Sequence, residues 1–124
     1  GTNDLHNPRV QRRRQSTHTL FRRSYIENPG GSLDGPGTVF SEAYDHQYVD
    51  VEVCELSRRR VQWAFADLSI VEHLHPHWGL ADEDATYRKA TRKSSSDRRL
   101  YAARMKQGPT QRQKRMKPRL RDIR

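Results

Sequence analysis

Ser57-Arg58-Arg59-Arg60-Val61-Gln62-Trp63-Ala64-Phe65-Ala66-Asp67-Leu68-Ser69-Ile70-Val71-Glu72-His73-Leu74 is the stretch on which the reading of this chain turns. Val61, Ala64, Phe65, Leu68, Val71 and Leu74 recur at three- and four-residue intervals, which places them along one side of a helix. Trp63 and Ile70 widen the stripe, so the helix is expected to pack on two sides. Ser57 is a favourable N-cap. Pro76 stops the helix near Leu74, because the residue before a proline is pushed out of helical geometry. The spacing predicts a main helix over about 58–74. Arg58, Arg59 and Arg60 then fall on its first turn, against the helix dipole.

Just upstream, Val49, Val51 and Val53 alternate with Asp50 and Glu52, the spacing of a strand with one apolar face. A helix beginning near Ser41 is the competing reading, since Tyr44, Tyr48 and Val51 share a helical face. Downstream, Asp82, Glu83 and Asp84 favour the start of a second helix, and Arg88, Lys89, Arg92 and Lys93 suit its C-terminal half. Ser94, Ser95 and Ser96 are expected to interrupt it, with a further turn through Leu100, Tyr101 and Met105 before Gly108-Pro109. Towards the N-terminus, Asn28-Pro29-Gly30-Gly31 and Gly35-Pro36-Gly37 are chain breakers. Residues 1–19 show no useful periodicity, and Leu20, Phe21, Tyr25 and Ile26 suggest a short anchoring turn.

The expected organisation is a basic extended arm (1–28), a Gly/Pro linker (29–37), an acidic apolar body (38–80), a basic helical segment (81–108) and a basic tail (109–124). Hydrophobic residues make up only 32% of the 124, against about 45–50% in ordinary globular chains. The expected fold class is mostly α with long extended arms, a small helical body with one short strand, and little independent core.

Charge is segregated along the chain. Residues 1–28 hold six Arg against Asp4 and Glu27, residues 29–86 hold three Arg against eleven acids, and residues 87–124 hold fifteen Lys or Arg against Asp97 and Asp122. The total is +9. Nineteen of the 24 cations are Arg, the side chain that forks onto phosphate and stacks on bases, although a GC-rich genome also raises Arg. A concentration of cations like that beyond residue 87 repels itself unless an anion lies against it. Phe21, Tyr25, Tyr87 and Tyr101 interleave with the basic segments, a pattern that suits stacking on unpaired bases while Arg holds phosphates. The candidate RNA contacts are Arg12, Arg13, Arg14, Arg22, Arg23, Arg88, Lys89, Arg92, Lys93, Arg98, Arg99, Arg104, Arg112, Lys114, Arg115, Lys117, Arg119 and Arg121. Arg58–Arg60 are expected either to pair with Glu52 and Glu55 or to add a third contact. The acidic block is expected to turn away from phosphate, towards solvent or basic proteins.

Signals for catalysis are sparse. His73, His75 and His77 alternate and would share a face of a strand, a spacing found in metal sites, with Glu72, Asp82 and Asp84 near in sequence. Pro76 disrupts such a strand, and a His at a helix end is ordinary capping chemistry; no metal or other cofactor is expected. Cys54 is the only cysteine, which excludes an internal disulfide and a Cys-based zinc finger. It reads as a buried inert thiol rather than a nucleophile. No Walker loop, dinucleotide fingerprint or hydrolase turn is present, and the chain is not expected to be an enzyme. No segment is long and apolar enough to span a bilayer, and no small-molecule substrate is expected.

A small body with long basic extensions resembles the accessory, extension-rich proteins of mitochondrial ribosomes. The likeness is in architecture and composition, with no motif matched. It implies a structural component of a ribonucleoprotein that braces rRNA with its arms and docks other subunits of the assembly with its middle. Residues 5–26 hold six Arg and no acid, as a mitochondrial import sequence does, so a mitochondrial location is expected, with the cytoplasm as the alternative. The alternative function is an accessory subunit of a respiratory or other protein-only assembly, with arms stapled to protein surfaces.

Overall fold

The computed structural model describes residues 1–107. Among them are two short parallel strands, β1 (Thr2–Asn3) and β2 (Ala66–Ile70), and four helices: α1 (Pro8–Gln11), α2 (Arg23–Glu27), α3 (Val49–Arg59) and α4 (Ala85–Gln107). A 3-10 turn covers Pro76–Trp78. The protein is small and partly helical, as its composition suggests.

The central element is α3, and it does not lie where the apolar spacing predicts. Val49–Val53, expected as strand, opens this helix, with Asp50 and Glu52 favouring its N-terminal turn. Its buried residues are Glu52, Val53, Cys54, Leu56 and Ser57, which lie on one broad side of the helix. Ser57 is no N-cap: its hydroxyl is buried within α3 and donates to the carbonyls of Val53 and Cys54 at 2.9 and 3.0 Å. The helix closes where a main helix was expected to begin. The Gln62 N–H reaches the Ser57 carbonyl at 2.8 Å and the Val61 N–H reaches Arg58 at 3.0 Å, the paired bonds of a Schellman ending. Val61 takes the left-handed position, at φ +56°. Arg58 and Arg59 consequently sit on the last turn of α3, where the dipole favours them.

Instead of a helix through 74, the chain continues as β2, in parallel register with β1 (Thr2 beside Ala66, Asn3 beside Ile70). Ala66 N–H donates to Gly1 and Val71 N–H to Asn3, both at 2.9 Å. All five β2 residues are exposed, Leu68 to 97%. The apolar stripe that suggested a helix is therefore not core. Ala66, Leu68 and Ile70 also alternate, and the available strand partner settles which period is used.

The N-terminal 28 residues are not an extended arm. Thr2, Asp4, Val10, Ser16 and Tyr25 are buried. The Asp4 carboxylate accepts from the backbone N–H of His6 and Asn7 at 3.2 and 3.0 Å and from the Thr17 hydroxyl at 2.6 Å. Asn7 in turn caps α1 through Arg9 N–H. Polar side chains order this segment where apolar ones are scarce. Nor is 29–37 a free linker, since Gly30, Gly31 and Ser32 are buried. Gly30 has φ +91° and a Cβ there would lie 1.9 Å from the Gly35 carbonyl oxygen, so no other residue fits this crossing.

The long helix α4 begins under the control of Asp84, whose carboxylate accepts Tyr87 N–H at 2.9 Å. It runs unbroken across Ser94–Ser96, where an interruption was expected. Two buried contacts dock it. Asp97 accepts the backbone N–H groups of Asp45, His46 and Gln47 at 3.0, 3.0 and 2.7 Å. Further along the helix, Arg104 forks onto Glu52, with Nε–Oε2 at 2.7 Å and Nη2–Oε1 at 2.9 Å. Glu52 is fully buried; it also accepts Tyr44 Oη at 2.6 Å and Leu33 N–H at 2.9 Å. Arg104 reaches Asp34 as well, at 3.0 Å. This cluster ties α4, α3 and the 30s loop together.

Truncating one member leaves the other charged and unpaired inside the body, which costs about 3–5 kcal/mol. Arg104→Ala is expected to lower stability by that amount and to strip α4 of amide-exchange protection. Combining Arg104→Met with Glu52→Leu removes both charges together and should recover most of the loss in a urea titration of the full chain.

Candidate nucleic-acid interface

The docking of α4 fixes which way its cations point. At about 100° per residue, Lys93, Asp97 and Arg104 fall within roughly 40° of one another on the inward side. Arg88, Arg92, Arg99 and Lys106 fall within roughly 40° of one another on the opposite side. All four are exposed. None has an ion-pair partner among the described residues, although the Arg88 guanidinium also donates to the Glu83 carbonyl at 2.9 Å. The stripe is about 27 Å long at 1.5 Å rise per residue. Lys89 and Arg98 flank it, both exposed.

Other candidate contacts are committed elsewhere. Arg104 faces inward and is withdrawn from the set, because its guanidinium is consumed by Glu52 and Asp34. Lys93 pairs with Asp45 at 2.6 Å and Arg13 with Asp67. Arg23 lies 4.0 Å from Glu27 and is almost fully exposed. Arg14 and Arg22 are exposed at the ends of α1 and α2. Arg58 and Arg59 pair with Glu55, while Arg60 donates to Tyr25 Oη and the Gly30 carbonyl. Glu52, one expected partner of this triplet, belongs to Arg104 instead. Arg112, Lys114, Arg115, Lys117, Arg119 and Arg121 lie outside the described residues.

Beside the N-terminal half of the α4 stripe lies an open groove of about 790 Å³. One wall is α1 together with Arg12, Gln15 and Thr17 beyond its end, and it carries Arg9; another is the 46–51 segment, with His46, Tyr48 and Asp50. The 73–78 segment contributes His73, His75, His77 and Trp78, and α4 contributes Tyr87 and Thr91. Its one carboxylate, Asp50, accepts from the Gln15 amide at 2.7 Å. The guanidinium groups of Arg9 and Arg12 have no hydrogen-bond partner among the described residues. Sequence spacing points to Arg12 but misses Arg9, His46 and Trp78, which only folding gathers.

The alternating histidines come together as rings packed edge to face, not as a ligand set. His73 and His75 lie 5.1 Å apart, His75 and His77 6.4 Å, and His75 and Tyr87 4.9 Å, each pair edge to face. Among the described residues no group of three His, Cys, Asp or Glu is arranged to hold a metal ion. Cys54 is buried in α3, and its burial pushes the thiol up to about 11, so it holds no thiolate at neutral pH. Among the described residues no helix is long and apolar enough to cross a membrane. The chain matches no protein-family model, no curated protein and no solved structure.

The histidines also set an acid limit. Burial, followed by the charges of His18 and His6 and opposed by Asp4, holds His73 below its ordinary value. His75 is lowered by burial and then by His73 and His77. The unfolded chain therefore takes up these protons first, and stability is complete above about pH 6.5 and falls as pH drops through the folded values. A second loss follows at lower pH. Burial acting alone would raise Glu52, but Arg104, Tyr44 and Leu33 outweigh it and hold it below the usual carboxylate value. Urea midpoints should drop in two stages on acidification, and His73→Gln with His75→Gln should remove the first stage while leaving the second.

Proposed function

We propose that this protein is an RNA-binding structural component of a ribonucleoprotein, and that α4 is its principal RNA-contacting element. The observation that carries this reading is the outward stripe of Arg88, Arg92, Arg99 and Lys106, set opposite a face whose charges are spent on holding the fold. Surface cations that neutralise phosphates release counterions and so bind RNA in proportion to their number. Four cations along one helix face, without acids among them, also suit a protein that braces a polyanion. Lys89 and Arg98 broaden the contact, and Arg12, Arg14 and Arg22 extend the positive surface away from α4. The ribosome of an organelle is the assembly whose accessory proteins share this composition, and a mitochondrial location follows from that likeness.

A second reading, an accessory subunit of a protein-only assembly, draws on β2. Leu68 and Ile70 are 97% and 58% exposed, and an exposed strand edge is a place for protein pairing. RNase separates the two: the sedimentation of the native assembly should collapse if RNA holds it together and persist if proteins alone do.

Replacing Arg88, Arg92, Arg99 and Lys106 together with Gln is expected to lower RNA affinity at low salt. Each lost phosphate contact removes about 0.7–0.9 from the slope of log affinity against log salt, so the variant should lose about 3 from that slope. An unchanged slope, with helicity intact by circular dichroism, would remove α4 from the interface.

A further inference from the structure

We propose that the groove between α1, the 73–78 segment and the start of α4 seats an unpaired nucleotide, with its phosphate on Arg9 and Arg12 and its base among Trp78, His75 and Tyr87. This deepens the RNA-binding reading and rests on it. A volume of about 790 Å³ lies within the roughly 300–1,000 Å³ of small-ligand sites. The lining combines the two chemistries a nucleotide requires. Arg9 and Arg12 line it with no internal hydrogen-bond partner for their guanidinium groups among the described residues. The lining also holds rings kept in place by one another: His75 against Tyr87 at 4.9 Å, and His77 against Trp78 at 4.6 Å. Trp78 is half-buried, so part of its indole stays accessible.

Position adds a second argument. Tyr87 and Thr91 line the groove, while their immediate neighbours on the helix, Arg88 and Arg92, begin the outward stripe. A strand tracking along α4 meets the groove at the N-terminal half of the helix, where Arg88 and Arg92 adjoin Tyr87 and Thr91. Bases inside a duplex are stacked away and cannot enter such a recess, whereas a splayed base can stack on aromatic side chains. The seat therefore confers a preference for single strands that the stripe alone does not.

The test measures the affinity of the full chain for a labelled eight-nucleotide single-stranded RNA, a blunt RNA duplex and adenosine monophosphate. Tryptophan emission is followed in parallel in a Trp63→Phe background, where Trp78 is the remaining indole. The single strand is expected to bind more tightly than the duplex and to quench Trp78, and the mononucleotide to quench it only at much higher concentration. Trp78→Leu should weaken single-strand binding by about 5- to 150-fold, the range for loss of one stacked base, and leave duplex binding unchanged. Arg9→Gln with Arg12→Gln, both exposed at α1, should weaken single-strand binding more than duplex binding without disturbing packing. Equal affinity for single strand and duplex, unaltered by either variant, overturns the nucleotide seat while the RNA-binding reading stands. A mononucleotide that binds as tightly as the oligomer assigns the groove to free nucleotide and overturns the strand contact. Failure of the unmodified chain to bind any RNA at low salt overturns the RNA-binding reading itself.

Discussion

The bidentate contact between Arg104 and Glu52 is the constraint on which the remaining architecture depends. Glu52 is fully buried on α3, and a carboxylate there is tolerable only when every lone pair has a donor. Arg104, Tyr44 and the Leu33 amide provide those donors from three separate parts of the chain. Satisfying one buried charge therefore fixes the long helix, the loop of the 40s and the glycine-rich crossing of the 30s at once. Apolar burial alone would not do so, since the buried hydrophobic side chains among the described residues are Val10, Tyr25, Tyr44, Val53, Cys54 and Leu56. This body is organised by polar groups to an unusual degree.

The same logic explains why a chain with three electrical blocks folds back on itself. Five of the eleven acids of the middle are partnered from the flanks: Asp67 by Arg13, Asp45 by Lys93, Asp34 and Glu52 by Arg104, and Glu72 by a contact with the His6 ring. Eight of the eleven acids are nonetheless exposed, so the acidic block meets solvent while part of it is paired internally. Internal matching leaves the unmatched cations on the outer side of α4 and around the groove. The positive surface is a remainder, shaped by which cations the fold has already used.

Legibility in the sequence differs by element. The start of α4 is readable because acids ahead of cations announce a helix direction, although Asp97 and Arg104 look like ordinary members of a basic helix. Their roles depend on partners some fifty residues away, which spacing does not register. The end of α3 is hidden by Val61, which holds a left-handed position where glycine is the usual sign. Without that sign, the apolar residues after it extend a helical pattern that the chain does not adopt. The N-terminal segment escapes a sequence reading because its order comes from Asp4, Asn7 and Ser16, residues of types that also populate loops. Of the groove, Arg12 and the histidines can be named as chemistry-bearing residues, but not that Trp78 and Tyr87 join them.

The spacing of these contacts along the chain has a bearing on how the molecule is made. Glu52 and Arg104 are separated by 52 positions, and Asn3 meets Ile70 across a similar distance. Long-range closures of this kind form slowly, because the intervening chain must be ordered before the contact rewards it. During synthesis, Glu52 is added 52 residues before its guanidinium partner. The growing chain therefore passes through a stage in which α3 carries an uncompensated carboxylate and has no reason to bury it. Assembly of the body is deferred until most of α4 has emerged, so that completion of the helix and closure of the fold become a single late event.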